Sequence, residues 1–407
     1  MSPDLQNARV CSLSEYEDVS MQWSQKCVAS ALLLIIGSTA FAQDETPALD
    51  KTVNAEVQSL MQQYNIPGMA IAITDNGQRR FYDYGVASRD SQTKVSNDTL
   101  FELGSLSKLF TATLATWAQA NGQLSLTDSI DTYVPQLYDS RLGKVPLFHL
   151  GTHTAGGFPL QFPDTIRDNG QMLSYFKAWQ PQYLPGAHRS YANPSIGLLG
   201  MIAASSMKMP FNTAMEQHLF PALGMTNSYL DVPANRQSRY AQGYNKQDEA
   251  VRLNPGVLAA EAYGMKSGSG DLIRFVEANM GLVQTTPALQ RALADTRIGY
   301  FRSGSMTQDL IWEQYTLPVK LETLLEGNSS KMAYETQPAS ALNPPLKPQQ
   351  DVWINKTGST NGFGGYVAFV PGKKLGIVIL ANKNYPNEAR VRLAYRILEE
   401  LGCCSPD

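Results

Sequence analysis

The chain has 407 residues, of which 43% are hydrophobic, enough for one large core or for two or three smaller ones. Lys and Arg total 33 against 36 Asp and Glu. No surplus of positive charge is available to neutralise phosphates or anionic lipid, which speaks against nucleic acid as a partner.

The N-terminus has the pattern of an export signal over residues 1–42, with Lys26 ahead of an apolar run from Val28 to Ile36 and a small-residue cleavage site at Ala40-Phe41-Ala42. Asp4, Glu15, Glu17 and Asp18 make the first stretch polar, as in an upstream extension, and Met21 offers an alternative start. The apolar run is shorter than the roughly 20 residues that span a bilayer, so the mature chain is expected to be periplasmic, off the membrane and monomeric. Signal removal takes Cys11 and Cys27 and leaves Cys403 and Cys404. Sequence neighbours rarely bridge each other, so no disulfide is expected and an exposed thiol at the tail is.

Leu49, Val53, Val57, Leu60 and Met61 recur at helical spacing, and Pro67-Gly68 closes that segment before a strand over 69–74. Asp75-Asn76-Gly77 is a hairpin turn leading to a second strand over 79–86. From Ser105 to Tyr240 the periodicity is mainly helical, interrupted by Gly/Pro loops at 156–163, 184–194 and 221–224. The Pro-rich stretch 338–348 reads as a mobile loop. Strands follow over 352–356, 365–370 and 375–380, the last two joined by the turn Pro371-Gly372-Lys373, and a helix over 388–401 ends at Gly402. The fold class expected is α/β of the α+β type: an antiparallel sheet built from both chain ends and flanked by helices, enclosing a mainly helical insertion. The sheet domain would comprise 43–118 and 241–407, the helical domain 119–240, and a cleft would form at their seam.

Three short motifs carry the chemistry. Ser105-Leu106-Ser107-Lys108 opens the buried helix pattern that Asn121-Gly122 closes, with Gly104 before it. A serine there meets unpaired N–H groups and a helix dipole that favour negative charge, and Lys108, three residues on, shares its face and can take its proton. Ser-x-x-Lys also occurs at Ser91, Ser174 and Ser205 without that context. Tyr191-Ala192-Asn193 follows a Pro-Gly loop, and a phenol near two lysines is acidified. Lys356-Thr357-Gly358 falls on an expected edge strand, whose backbone would pair with an extended substrate. The N–H groups of Ser105 and Ser359 would form an oxyanion hole.

With these motifs stand Leu160-Gln161-Phe162-Pro163, Glu261-Ala262-Tyr263-Gly264, the run from Asn355 to Gly364, and Leu380-Ala381-Asn382-Lys383-Asn384-Tyr385-Pro386-Asn387. Together they resemble class C β-lactamases of the serine, penicillin-recognising superfamily. The resemblance implies hydrolysis of the β-lactam amide of cephalosporins and penicillins through an acyl-enzyme on Ser105, with no cofactor. It implies Lys108, Tyr191 and Lys356 as the supporting catalytic groups, and Gln161, Asn193, Tyr263, Thr357, Gly358, Asn387 and Arg390 as substrate contacts. A D,D-peptidase or serine esterase of the same fold is the alternative, because acylation is common to all three. A non-catalytic β-lactam sensor would need no turnover. A zinc site at His149 and His153, four apart on one helix face, is the weakest reading in a chain with four histidines and no His-Glu-x-x-His.

Overall fold

The computed structural model describes residues 46–404, and the expected export signal, with Met21, Cys11 and Cys27, lies outside them. Helix α1 (Thr46–Tyr64) leads into strands β1 (Gly68–Asp75) and β2 (Gln78–Gly85). Asn76 (φ 50°) and Gly77 (φ 86°) are both left-handed between the paired residues Asp75 and Gln78, the geometry that suits a two-residue hairpin. The motif-bearing helices α2 (Ser107–Ala120) and α3 (Asn193–Ser206) come next, then α4 (Ser269–Asn279) and α5 (Pro287–Asp295).

The C-terminal part supplies β3 (Gly299–Ser303), β4 (Met306–Gln308), β5 (Glu313–Thr316), β6 (Ser340–Leu346), β7 (Val352–Ser359), β8 (Gly364–Val370) and β9 (Leu375–Ala381), then α6 (Asn387–Glu400). One nine-stranded antiparallel sheet results, in the order β6-β3-β4-β5-β7-β8-β9-β1-β2. Strand β1 joins β9 across the sheet with Ile71 opposite Ile379, so both chain ends meet in it as expected. Strands β8 and β9 are buried along their whole length because both faces are covered. On β1, Ala70 and Ala72 face a core shared with α2, α3 and α4, while Met69, Ile71 and Ile73 face one shared with α1 and α6. That alternation is the two-residue period of a strand. Among the described residues no helix is long and apolar enough to cross a membrane.

Several expectations are corrected. Residues 340–346 are an edge strand rather than a mobile loop: Ser340 pairs with Arg302 and Leu346 with Gly299, and Pro344 and Pro345 fall in the irregular stretch between, where a missing N–H breaks no ladder. Strands β3, β4 and β5 carry no clear apolar alternation in sequence; tertiary pairing makes them. Strand β7 is interior. It pairs with β8 through Ser359, and with β5 only as far as Asn355, so an open edge exists just at 356–359. Cys403 and Cys404 are disulfide-bonded, and Cys403 is buried. The turn at Gly402 (φ 75°) folds the tail back so that Cys403 N–H donates to the Leu398 carbonyl. Finally, His149 lies in the short helix Phe148–Gly151, whereas His153 (φ 60°) is past its end, so the two do not share a helix face.

Candidate active site

Ser105 occupies a 3-10 turn, Gly104–Leu106, that runs directly into α2. Neither helix start has a side-chain cap, so the serine hydroxyl is not spent on capping. Two glycines let this turn touch the end of β7. Gly104 has φ 52°, and a Cβ on it would lie 2.3 Å from the Ser359 carbonyl oxygen and 2.6 Å from the Ser359 nitrogen. A Cβ on Gly358 would lie 2.2 Å from the Leu103 oxygen. Backbone contact this close is open only to glycine.

Lys108, one turn along α2, is fully buried and donates to Ser105 Oγ at 3.0 Å and to the Ala262 carbonyl at 2.8 Å. Burial brings its ammonium down to about 8; Lys356 pushes the same way and Tyr191 opposes. An amine titrating there can exchange a proton with the serine near neutrality.

Tyr191 stands between the short strand His188–Arg189 and α3. The Lys356 and Lys108 amines lie 5.0 Å and 5.2 Å from its ring centre, and Arg189 Cζ 5.5 Å. The His153 ring packs against it, tilted, with ring centres 4.4 Å apart, and His153 Nδ1 accepts the Ala192 N–H. Burial and the surrounding cations hold His153 neutral, so it contributes shape rather than charge. The Tyr191 hydroxyl is out of solvent, and no donor or acceptor among the described residues meets it at full hydrogen-bond geometry. Burial alone would raise its pKa; Lys108 and Lys356 outweigh burial and bring it to about 8.

Lys356 is buried on β7, donates to the Thr357 carbonyl at 3.1 Å and has Glu313 Oε1 at 4.0 Å. Glu313 in turn accepts from Arg189 Nη2 at 3.0 Å and Asn355 Nδ2 at 3.3 Å. Arg189, wholly enclosed, also donates to Gln308 Oε1 and the Met332 carbonyl. This Arg189–Glu313 unit behind the lysine was not identified from sequence. Its members are 124 residues apart, and a lone arginine before Tyr191 gives no signal.

The four core groups Ser105, Lys108, Tyr191 and Lys356 are therefore brought together. Around them, Asn193 begins α3, its N–H donating to the Leu160 carbonyl beside exposed Gln161, with its Oδ1 buried and without a partner among the described residues. Tyr263 ends the short helix Ala259–Ala262 whose last carbonyl holds Lys108. Thr357 is half-buried next to Lys356, and Asn387 is half-buried at the start of α6. Arg390 is placed differently from a direct substrate contact. It has no exposure, and its guanidinium donates to the Gly358 and Tyr385 carbonyls and to Ser359 Oγ, bracing the end of β7 from behind.

Similarity to known proteins agrees with this arrangement. The β-lactamase family model matches residues 53–402. A β-lactamase of Lysobacter lactamgenus is 51% identical over 356 residues, covering 87% of this chain and 92% of the relative. Among solved structures, a β-lactamase/D-alanine carboxypeptidase from Pseudomonas syringae is 67% identical with a TM-score of 0.86, covering 86% of this chain and 99% of that one. A class C β-lactamase in complex with cefoxitin is 51% identical with a TM-score of 0.85, covering 87% and 99%. A nine-stranded antiparallel sheet closed by both chain ends, with a serine under two lysines and a tyrosine, and full-length likeness at half identity or more together place the chain in the β-lactamase family, in its class C branch.

Proposed function

We propose that the protein is an exported serine β-lactamase that hydrolyses cephalosporins and penicillins, acting as a periplasmic monomer. The observation that carries this is the Lys108 amine 3.0 Å from Ser105 Oγ beneath a tyrosine flanked by two lysines. Ser105 Oγ attacks the lactam carbonyl, its proton passing to the Lys108–Tyr191 pair, and the carbonyl oxygen takes the negative charge between the N–H groups of Ser105 and Ser359. The C–N bond then breaks and the ring nitrogen takes the proton from Tyr191. A water that gives its proton back to Tyr191 attacks the ester carbon, and Ser105 leaves with a proton returned to it. Lys108 and Tyr191, both near 8, hold either protonation state at little cost, as a shuttle working in both directions requires.

Lys356 and Thr357 address the substrate carboxylate from the open edge at 356–359, Gly358 permits close approach, and Asn387 extends that wall. Gln161 and Asn193 face the acylamido side chain, and Tyr263 walls the pocket. Arg390 contributes by holding Gly358 and Ser359 in place.

The test is steady-state hydrolysis of a chromogenic cephalosporin by the mature chain with Ser105→Ala as control. Sustained turnover that the variant loses, with covalent labelling also lost, supports the reading. Stoichiometric labelling without turnover favours the D-alanine carboxypeptidase alternative, which has support in the double name of the Pseudomonas syringae relative.

A further inference from the structure

Three residues before Ser105, Glu102 is buried on a short strand, Phe101–Glu102, paired with Lys266–Ser267. Its carboxylate collects donors from three distant segments. Oε1 accepts from Tyr240 Oη at 2.6 Å and from the Leu253 N–H at 2.8 Å, and Oε2 accepts from Thr360 Oγ1 at 2.7 Å. Lys266, whose amine donates to the Leu230 carbonyl, stands directly across the strand pair within electrostatic reach of Glu102, and Arg252 lies over the Tyr240 ring. Charge-assisted bonds of this kind are short and among the stronger ones in proteins.

The position of these bonds gives them meaning. Thr360 follows Ser359, and Glu102 lies in the segment that becomes the Ser105 turn, so the Glu102–Thr360 bond ties together the two stretches of chain whose N–H groups the proposed mechanism assigns to the oxyanion hole. The two stretches are 258 residues apart in sequence. Backbone contacts at Gly104 and Gly358 press them together, and this bond fixes them laterally. Thr360 is held on its other side by its own N–H donating to the Phe363 carbonyl, and Phe363 meets Phe101 edge-on. The tether thus has little slack.

Resting on the reading of the site given above, we propose that Glu102 is a positioning residue for the oxyanion hole, setting the spacing of the Ser105 and Ser359 N–H groups through its bond to Thr360. It touches no substrate. Because an oxyanion hole acts on the tetrahedral state and little on the bound substrate, slack in the tether lowers kcat while leaving KM in place.

The experiment compares wild type, Thr360→Val, which keeps shape and loses the hydroxyl, and Thr360→Ser, which restores it. Each is read by cephalosporin turnover and by inhibition with an arylboronic acid, which adds to Ser105 Oγ and places a boron hydroxyl in the hole. Thr360→Val is expected to lower kcat and to weaken boronate binding, each by about tenfold or more, with KM within about twofold; Thr360→Ser is expected to recover both. In a Glu102→Gln background the valine substitution should cost much less, since the bond is already impaired. Unchanged kcat and boronate affinity in Thr360→Val, or losses fully additive with Glu102→Gln, overturn the proposal, whatever the melting temperatures. Where the valine variant does not fold, Thr360→Ala is read the same way. A wild type that turns over no cephalosporin would instead sink the reaction assigned above, while the boronate titration would still report on the hole.

Discussion

Lys356→Met offers a quantitative test of the electrostatics of the site, because methionine keeps the length of the stem and removes the charge. The amine lies 5.0 Å from the Tyr191 ring centre. At an effective dielectric near 20, unit charges at that separation interact by about 3 kcal/mol, or roughly two pH units. Lys356 lowers both Tyr191 and Lys108 toward about 8, so its removal raises both, and Glu313, which pushes Tyr191 upward, is left with less opposition. The base must be deprotonated to work. The acid limb of the pH–rate profile, where activity falls as pH falls, is therefore expected to move up by about one to two units, part of the effect being lost to screening. The assay follows acylation from about pH 6 to 10 with a cephalosporin whose carboxylate is esterified, so that loss of a carboxylate contact does not contribute. A limb that stays in place while the rate drops would refute the electrostatic role and leave Lys356 as a substrate contact only.

Two further substitutions probe the framework. Gly104→Ala puts a Cβ 2.3 Å from the Ser359 oxygen on a residue at φ 52°, and is expected to lower kcat by at least about tenfold, as displacement of one oxyanion donor would; stopped-flow acylation at wild-type rate would contradict it. Arg189→Met strips the buried Glu313 of its nearer cation and leaves Gln308 Oε1 and the Met332 carbonyl without that donor. Urea unfolding should show a loss of about 3–5 kcal/mol, as expected for removing one partner of a buried pair, and a loss under about 1 kcal/mol would mean that Asn355 and Lys356 suffice for Glu313.

Local chemistry left its mark in the sequence wherever the deciding contacts are close along the chain. The Asn76-Gly77 turn is legible because both positions need left-handed backbone, the strands 365–370 and 375–380 because burial on both faces demands continuous apolar runs, and Ser105–Lys108 because three residues of helix bring hydroxyl and amine together. Tyr191 and Lys356 could be placed near that serine only by family resemblance, since nothing local encodes their meeting.

What tertiary structure decided has the opposite character. Strands β3, β4 and β5 are short stretches of mixed polarity held by ladder bonds, with Arg189 bonding Gln308 on β4 and Glu313 on β5, and the proline-rich β6 is a strand only because an edge tolerates missing donors. Arg390 sits behind the site instead of in it, and the adjacent cysteines bridge just past a helix end that folds back on itself. Sequence determined the elements whose stability is set by neighbours within a few residues, together with the identity of the reactive groups. The closing of β1 against β9, the pKa values near 8 and the enclosed carboxylates at Glu102 and Glu313 arise from groups far apart along the chain, through desolvation and charge that exist only once the core has formed.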